Sequence, residues 1–309
     1  MIFNGREFRD DILNDLIKRI SLLDFVPEFS DILVGNNGPS VRYVNMKKNI
    51  AEKIGVKFVS ANLPNNTTTD DILNKIKELS NRPNMCGIII QLPLPENIDT
   101  TQVLNAVPLN LDVDGLSEAY NNLFYQNDSL DKIPFIMPTV LAIKKILDQA
   151  LNQVSYEESI AGNNNLNNNK NIAIIGQGRL VGKPIFHLLK QEIETIVTNL
   201  VDRKDLKFDI KTIDIDTNLV DRNDILINAD IIITAVGKPN ILTKEEIKDG
   251  VIVIDAGTLE VENVLVGDSD FENIKDKVSF ITPTPGGVGP VTVACLMENI
   301  IRVAENKIK

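Results

Sequence analysis

The sequence predicts an α/β fold with two domains, and three observations support this prediction. The chain has 309 residues, which exceeds a typical single domain and allows two separate hydrophobic cores. Short β-branched runs alternate with helical segments in both halves, a rhythm typical of parallel sheets with crossover helices. The strands of the second half are nearly continuous apolar runs, as expected when helices cover both faces of a sheet.

The first half follows a βαβαβ order. We predict strands at 31–34, 56–61 and 86–92, separated by helices at 41–54 and 70–79. A βαβ crossover keeps neighbouring strands parallel, so these strands are expected to form one parallel sheet.

The second half repeats the pattern after a linking helix at 139–151 and ends in a helix at 291–306. The predicted strands begin at 171 and continue at 210–215, 231–236, 251–255 and 278–282. The apolar face of the last helix is expected to pack back on the first domain. The Asn-rich tract 162–170 is of low complexity and is interpreted as a solvated surface insertion without a binding role.

Composition excludes several function classes. The chain has 43 acidic and 32 basic side chains, which gives a net charge of -11. This charge argues against a nucleic-acid or anionic-membrane partner. No signal peptide or membrane span is predicted. The two cysteines, Cys86 and Cys295, lie in apolar stretches, which suits free thiols in a reducing cytoplasm. His187 is the only histidine, so a Cys/His zinc site is excluded and no metal is expected; proton transfer must use Lys, Tyr, Asp or Glu.

A glycine-rich turn indicates a dinucleotide site. In IAIIGQGRLVGKP a predicted strand runs into Gly176, Gly178 and Gly182 and then into a helix. Such glycines let the backbone approach a pyrophosphate, which the helix N-terminus stabilises. The spacing GxGxxxG is only moderately specific, and the alternative is that the glycines simply form a tight turn.

Two further turns support that site. AVGKP (235–239) and DAGT (255–258) follow the next strands, and ligands of open α/β sheets lie beyond the carboxyl ends of strands. The cofactor-binding candidates are Gly176, Gln177, Gly178, Arg179, Gly182, Asp214, Val236, Gly237, Gly257, Thr258 and Thr292.

The first domain carries a second group of candidates. VGNNGPSVRYVNMKK places Ser40, Tyr43 and Lys47 at the start of a helix, with Tyr43 and Lys47 on one face. An exposed lysine packed on a tyrosine is the alternative for an isolated pair. However, Gln91 ends an otherwise apolar strand and LDVDGL places Asp112 and Asp114 in a loop, so a glutamine and carboxylates accompany the lysine.

These stretches resemble the bifunctional methylenetetrahydrofolate dehydrogenase/methenyltetrahydrofolate cyclohydrolase family (FolD-like) over nearly the whole chain. The matching segments occur in the family's order: VGNNGPSVRYVNMKK, GIIIQLPLP, LDVDGL, GRLVGKP, ADIIITAVGKP, VIDAG, LVGDSDF and ITPTPGGVGPVTVACLMEN. QLPLP, VDGL and PGGVGPVTVA together are a strong signal.

The resemblance implies the fold and the activity. It implies a folate-binding catalytic domain at 1–137 plus 288–309 and a Rossmann-like NAD(P)-binding domain at 138–287. It also implies NAD(P)-dependent oxidation of 5,10-methylenetetrahydrofolate, hydrolysis of the methenyl product to 10-formyltetrahydrofolate, and a cytoplasmic homodimer in one-carbon metabolism and purine biosynthesis.

The resemblance also implies roles for single residues. Lys47 would be the catalytic lysine, Tyr43 would stack beside the folate rings, Gln91 would position Lys47, and Asp114 would bind the pterin. Pro285, Gly286 and Gly287 would lie where folate meets nicotinamide. A neutral lysine is a competent general base for hydrolysis.

The sequence departs from the family at three places. IMPTVLAI replaces the usual PCTPxG stretch, and only Thr139 matches. Gln177 replaces an arginine expected to face an adenosine phosphate, and Asp214 stands at the tip of the second strand if 194–208 is an insertion. An acid at that tip favours NAD over NADP, although Arg179 is a possible phosphate partner.

Two other functions remain open from the sequence. One is a dehydrogenase without cyclohydrolase activity, because Lys47 and Gln91 do not by themselves guarantee delivery of water. The other is a noncatalytic dinucleotide-binding or regulatory protein, against which the coexistence of Tyr43, Lys47, Gln91 and Asp114 argues.

Overall fold

A computed structural model describes residues 1–127, 132–160, 169–199, 207–262 and 264–308, without the side chains of 155–160, 169, 192–199 and 207. In chain order its elements are α1 (Gly5–Ile20), β1 (Glu28–Val34), α2 (Gly38–Ile54), β2 (Lys57–Leu63), α3 (Thr69–Ser80), β3 (Met85–Ile90), α4 (Thr100–Ala106), α5 (Glu118–Gln126), α6 (Pro138–Ile160), β4 (Asn169–Ile175), α7 (Gly182–Asn199), β5 (Lys207–Ile213), α8 (Leu219–Asn228), β6 (Ile231–Thr234), a 3₁₀ turn (Lys244–Glu246), β7 (Ile252–Asp255), β8 (Leu259–Val261), β9 (Val264–Val266), α9 (Phe271–Ile274), β10 (Phe280–Ile281) and α10 (Val288–Lys307).

The chain forms two compact units. The three-stranded unit comprises Arg9–Pro138 and Val293–Lys309, and the five-stranded unit comprises Met1–Phe8 and Thr139–Thr292. The predicted two-domain α/β fold with parallel sheets is confirmed.

The three-stranded unit has the parallel order β2-β1-β3, so β1 is the central strand. Every residue of β1 and β3 is buried. Residues 293–309 belong to this unit, as predicted for the last helix. The Asn299 side chain donates to the carbonyl oxygens of Val113 (3.0 Å) and Ile136 (2.8 Å), and these bonds fix α10 to the loops of the unit.

The five-stranded unit has the parallel order β10-β7-β6-β4-β5. The order runs outward in both directions from β4 and β6, so the chain reverses direction across the sheet between these two neighbours. A crevice beyond the carboxyl ends of strands at such a point is where open α/β sheets bind ligands. One face of the sheet is covered by a core that includes Ala173, Ile175, Ile232 and Val253.

Several element boundaries differ from the predicted ones. The helix predicted from 291 begins at Val288, the strand predicted to 92 ends at Ile90, and the strand predicted from 171 begins at Asn169. Asn169 and Lys170 therefore belong to β4 rather than to a surface insertion. The rest of that tract lies outside the described residues, as does the centre of the insertion predicted at 194–208, whose ends belong to α7 and β5.

The compact units also differ from the predicted domains in two short segments, 1–8 and 288–292, which belong to the five-stranded unit, and at Pro138, which belongs to the three-stranded unit. The Phe3 amide donates to the Ile281 carbonyl oxygen (2.8 Å), and Ile2 pairs in parallel with Ile281, so the N-terminal residues extend the sheet beside β10. The assignment of folate and dinucleotide binding to the predicted residue ranges stays a proposal.

Helix α1, helices α4 and α5, and the antiparallel β8–β9 hairpin were not among the predicted elements. Among the described residues, no helix is both long and apolar enough to span a membrane.

Candidate active site

Lys47 and Gln91 are brought together by the fold of the three-stranded unit. The α2 helix begins after Asn37, whose side chain accepts a hydrogen bond from the Ser40 amide (3.4 Å) and so caps the helix. Gln91 directly follows β3, and its backbone amide donates to the Ile32 carbonyl oxygen (3.0 Å). Lys47 Nζ donates to Gln91 Oε1 at 2.9 Å. The predicted proximity of these two side chains is therefore observed.

The lysine also contacts a carboxylate that sequence reasoning did not single out. Asp31 lies in the middle of β1 with no solvent exposure, and its Oδ2 atom is 2.6 Å from Lys47 Nζ. Neither oxygen of Asp31 receives a well-aligned hydrogen bond from a described residue, so the contact is an ion pair with poor alignment. Burial raises the pKa of Asp31, and the Lys47 charge opposes this shift.

The two acids of LDVDGL have different environments. Asp112 is buried and accepts hydrogen bonds from the amides of Gly115 (3.1 Å), Leu116 (3.2 Å) and Ser117 (2.9 Å). It therefore holds the loop in shape. Asp114 is half-buried, burial raises its pKa, and the Lys47 charge acts on it in the opposite direction. Of the two, Asp114 is the carboxylate that is not fully buried and that interacts electrostatically with Lys47.

Ser40 and Tyr43 lie on the same helix as Lys47. Ser40 is buried, whereas Tyr43 remains 43% exposed, so the phenol ring has an open face. The i, i+4 spacing puts the ring on the Lys47 side of α2, as predicted. An exposed aromatic ring beside a buried polar cluster is able to stack on a flat heterocycle.

The glycine turn of the five-stranded unit is shaped by close backbone approach. Gly176 has φ +96°, and a Cβ atom at Gly182 would lie 1.9 Å from the Gly176 carbonyl oxygen, so both positions require glycine. A Cβ at Gly178 would meet nothing within 4 Å. Gly178 is thus not required by packing inside the unit, and its open side fits the close approach of a ligand to the backbone.

The residues proposed to distinguish NAD from NADP lie at neighbouring strand ends. The Gly176 amide donates to the carbonyl oxygen of Ile213 (2.8 Å), the last residue of β5, so the exposed Asp214 follows directly beside the glycine turn. One oxygen of Asp214 accepts a hydrogen bond from the Ile215 amide (2.8 Å). Gln177 donates to the Gly176 carbonyl oxygen (3.0 Å), and Arg179 is exposed.

The turns that follow β6 and β7 are connected by one carboxylate. Asp268 Oδ2 accepts from the Val236 amide (2.7 Å) and Oδ1 from the Lys238 amide (2.8 Å). A Cβ at Gly257 would lie 2.0 Å from the Asp268 carboxyl carbon, so this glycine makes room for the acid. Gly237 has φ +75° and Thr258 is exposed. Asp268 lies in the segment LVGDSDF, which matches the family, but the sequence pattern does not predict a role for it.

The remaining candidates follow β10. The Thr284–Pro285 peptide bond is cis, Gly286 has φ +107°, and the Gly5 amide donates to the Gly286 carbonyl oxygen (3.0 Å). Gly287 is buried beside the Pro283 carbonyl oxygen. Thr292 lies inside α10, where its hydroxyl donates to the Val288 carbonyl oxygen (3.2 Å).

Two family models match the chain. Residues 3–114 match the catalytic domain of tetrahydrofolate dehydrogenase/cyclohydrolase, and residues 158–308 match the NAD(P)-binding domain of the same enzymes. Together the two matches cover most of the chain.

Known proteins resemble the chain over its full length. A curated relative from Nautilia profundicola, named bifunctional protein FolD, is 37% identical and is aligned over 99% of this chain and 97% of its own length. The crystal structure of bifunctional FolD from Campylobacter jejuni matches with a TM-score of 0.83, 30% identity and 99% coverage of both chains. A Trypanosoma brucei FolD structure, complexed with NADP and an inhibitor, matches with a TM-score of 0.82 and 26% identity, covering 100% of this chain and 98% of its own.

Proposed function

Since the chain belongs to the tetrahydrofolate dehydrogenase/cyclohydrolase family, and therefore oxidises 5,10-methylenetetrahydrofolate and hydrolyses the methenyl product to 10-formyltetrahydrofolate, we propose that Lys47 is the base of the hydrolytic step. The observation that carries this proposal is the hydrogen bond of 2.9 Å from Lys47 Nζ to Gln91 Oε1 within a buried polar cluster. A buried lysine whose amine is held by neighbouring side chains has a defined direction, which general base catalysis needs.

The residues of the five-stranded unit fit a nicotinamide dinucleotide. The backbone conformation and packing of the turn require glycine at positions 176 and 182. The open side of Gly178 leaves room for a pyrophosphate to approach the helix N-terminus. When bound, the dinucleotide accepts the hydride that leaves the one-carbon bridge of the folate. We propose that Gly176, Gly178 and Gly182 hold its phosphates and that Val236 and Gly237 line the site beyond β6.

The proposed hydrolytic step starts from the cationic methenyl carbon that hydride loss leaves behind. Water adds to this carbon, and Lys47 takes one proton from the water as the new C–O bond forms. The hydroxyl proton of the adduct then passes to N5 as the C–N5 bond breaks, which leaves the formyl group on N10. Gln91 orients the Lys47 amine through its oxygen, Asp114 binds the pterin, and Tyr43 stacks on the folate rings.

The preference for NAD, the homodimer and the cytoplasmic location are further proposals. Asp214 supports NAD because a carboxylate at a strand tip can bind ribose hydroxyls and repels an added phosphate. The homodimer and the location rest on the family resemblance alone. Light scattering of the purified chain tests the oligomeric state.

A matched pair of lysine variants tests the role of Lys47. Lys47→Ala is expected to lose hydrolysis of methenyltetrahydrofolate, to retain dinucleotide binding, and to lose less of the dehydrogenase rate, because the hydride does not pass through the amine. Lys48→Ala removes the same charge from the next position of α2, where Lys48 Nζ lies 6.0 Å from the centre of the Phe58 ring, and is expected to keep both activities. Hydrolysis at the parental rate in Lys47→Ala would mean that another group is the base.

A further inference from the structure

Asp31 occupies a position where a carboxylate is costly. It is the centre of the middle strand of its sheet, opposite Ser60 of β2 and Ile89 of β3, and it is fully buried. A buried charge without well-formed hydrogen bonds strongly disfavours the folded state. A buried group with unsatisfied hydrogen-bonding capacity requires an explanation, and a catalytic role is one of the recognised ones.

The partner of Asp31 is the lysine assigned above to the hydrolytic step. Lys47 Nζ lies 2.6 Å from Asp31 Oδ2 and 2.9 Å from Gln91 Oε1, so the amine has one charged and one neutral contact. The other described groups that bear on this cluster are Asp114, whose charge interacts with Lys47 and Asp31, and Tyr43 on the same face of α2.

We propose that Asp31 is a positioning residue for hydrolysis, whose buried carboxylate fixes the Lys47 amine beside Gln91 and stabilises the proton that Lys47 takes from water. The proposal rests on the role of Lys47 given above. An amine that accepts a proton becomes a cation, and a carboxylate at ion-pair distance favours that state over the neutral amine. Asp31 therefore stabilises the product of proton transfer.

This arrangement predicts a pH signature. Hydrolysis requires a group that accepts a proton from water, so kcat is expected to fall along an acidic limb of its pH profile. Asp31→Asn removes the carboxylate charge, so this limb is expected to move to lower pH by about one unit or more. The variant is then relatively more active at low pH and no more active than the parent on the alkaline plateau. Damage to the fold would lower kcat at every pH without moving the limb.

Ser30→Ala serves as the matched control. Ser30 is a fully buried neighbour on β1 whose hydroxyl donates to the Val59 carbonyl oxygen (2.7 Å), so this variant disturbs the strand without changing a charge. The acidic limb of the kcat profile of Ser30→Ala is expected to lie at the same pH as that of the parent. A folded Asp31→Asn enzyme whose limb also coincides with that of the parent overturns the proposal.

A second experiment measures stability instead of catalysis. It does not require that the single variant Asp31→Asn folds. In Lys47→Met the Asp31 carboxylate stays buried without its cation, so its folded-state pKa is raised above the unfolded value. Stability is then present at acidic pH and is lost as the pH rises through the folded pKa. Thermal unfolding of Lys47→Met should therefore show a Tm that falls with rising pH more steeply than in the parent.

The double variant Asp31→Asn/Lys47→Met separates Asp31 from Asp114. It should lose this excess pH dependence, whereas Asp114→Asn/Lys47→Met should keep it. Equal pH dependence in Lys47→Met and the parent, or an excess that Asp114→Asn alone removes, overturns the proposal. The role of Lys47 as the base is judged separately, by the hydrolysis rate of Lys47→Ala.

Discussion

Asp268 holds the turn after β6 by accepting a hydrogen bond of 2.7 Å from the Val236 amide with one oxygen and a bond of 2.8 Å from the Lys238 amide with the other. Asp268 is fully buried and burial raises its pKa, with the backbone donors acting against that shift. The backbone of this turn therefore depends on a side chain that comes thirty residues later in the chain.

Asp268→Asn is expected to weaken dinucleotide binding. An amide offers one acceptor oxygen instead of two, so one of the two backbone N–H groups loses its partner, at a cost of about 1–3 kcal/mol. The KM for the dinucleotide should rise more than kcat falls. Asp270→Asn is the control, because the Asp270 side chain accepts an exposed hydrogen bond from the Asn273 side chain (2.8 Å). An unchanged KM in a folded Asp268→Asn enzyme would show that the turn does not contribute to the site.

Alanine substitutions at Gly182 and Gly178 should have different effects, the first on protein stability and the second on dinucleotide binding. Gly182→Ala places a Cβ 1.9 Å from the Gly176 carbonyl oxygen and is expected to destabilise the protein by about 1–3 kcal/mol. Gly178→Ala meets nothing within 4 Å, so its Tm should match that of the parent. If a pyrophosphate approaches the backbone at Gly178, the KM for the dinucleotide rises about tenfold, equivalent to about 1.4 kcal/mol. Unchanged binding in Gly178→Ala argues against that approach.

Asp214→Ser should change the choice of cofactor. The parent is expected to use NAD at least as well as NADP, because the added phosphate of NADP would meet the Asp214 carboxylate. The serine variant should move toward NADP. The comparison is kcat/KM for both cofactors in both proteins. Asp214 does not determine the cofactor preference if the parent prefers NADP by tenfold or more, about 1.4 kcal/mol. The same conclusion holds if the serine variant shows no shift in kcat/KM toward NADP.

The ion pairs of Glu28 predict a pH-dependent stability. Hydrogen bonds from Arg82 and Lys57 lower the pKa of Glu28 to about 2 against the opposing effect of burial. A lowered folded-state pKa contributes stability above the unfolded value and loses it as the pH falls toward 2. Glu28→Gln should therefore be less stable than the parent by about 1–3 kcal/mol at neutral pH, and this difference should shrink below about pH 4.5.

Urea unfolding at several pH values measures the effect, with Glu78→Gln as the control. Glu78 pairs with Lys75 on the surface and its side chain is 63% exposed, so its loss should cost less than about 1 kcal/mol at any pH. A constant difference between Glu28→Gln and the parent from pH 7 to 2 would contradict the assignment.

The local sequence pattern predicts the Lys47–Gln91 contact of the candidate site but does not predict that Asp31 belongs to it. Apolar runs located β1 and β3, and the contact between Lys47 and Gln91 follows from the helix and strand on which they lie. The pattern predicts β1 only from Asp31, where the short β-branched run starts. The strand in fact begins at Glu28, and the charge of Asp31 is balanced by a lysine on another element. Sequence patterns report on residues that are close in the chain, so they do not predict an ion pair between a strand residue and a residue of a following helix.

The two aspartates of LDVDGL show the same limit. The residue pattern alone does not distinguish them as ligand carboxylates, and only the family resemblance selects Asp114. Only the folded loop turns three amides toward Asp112 and leaves Asp114 for other contacts. The short β8–β9 hairpin was missed because three-residue strands carry too little periodicity to be recognised.

The chain passes from one compact unit to the other three times, after Phe8, Pro138 and Thr292. The three-stranded unit is therefore completed by a segment that is translated after 139–292. In this segment Ile300 packs next to Gly87, and the Asn299 side chain donates to the Val113 and Ile136 carbonyl oxygens. A nascent chain that has left the ribosome only as far as Pro138 has the strands of this unit but not the helix that covers them. Proteins usually complete their N-terminal domain first during synthesis. Here the unit that carries Lys47 is completed only after residues 139–292 of the other unit have been translated, so a chain that stops before 293 lacks the contacts that this last helix makes in the unit.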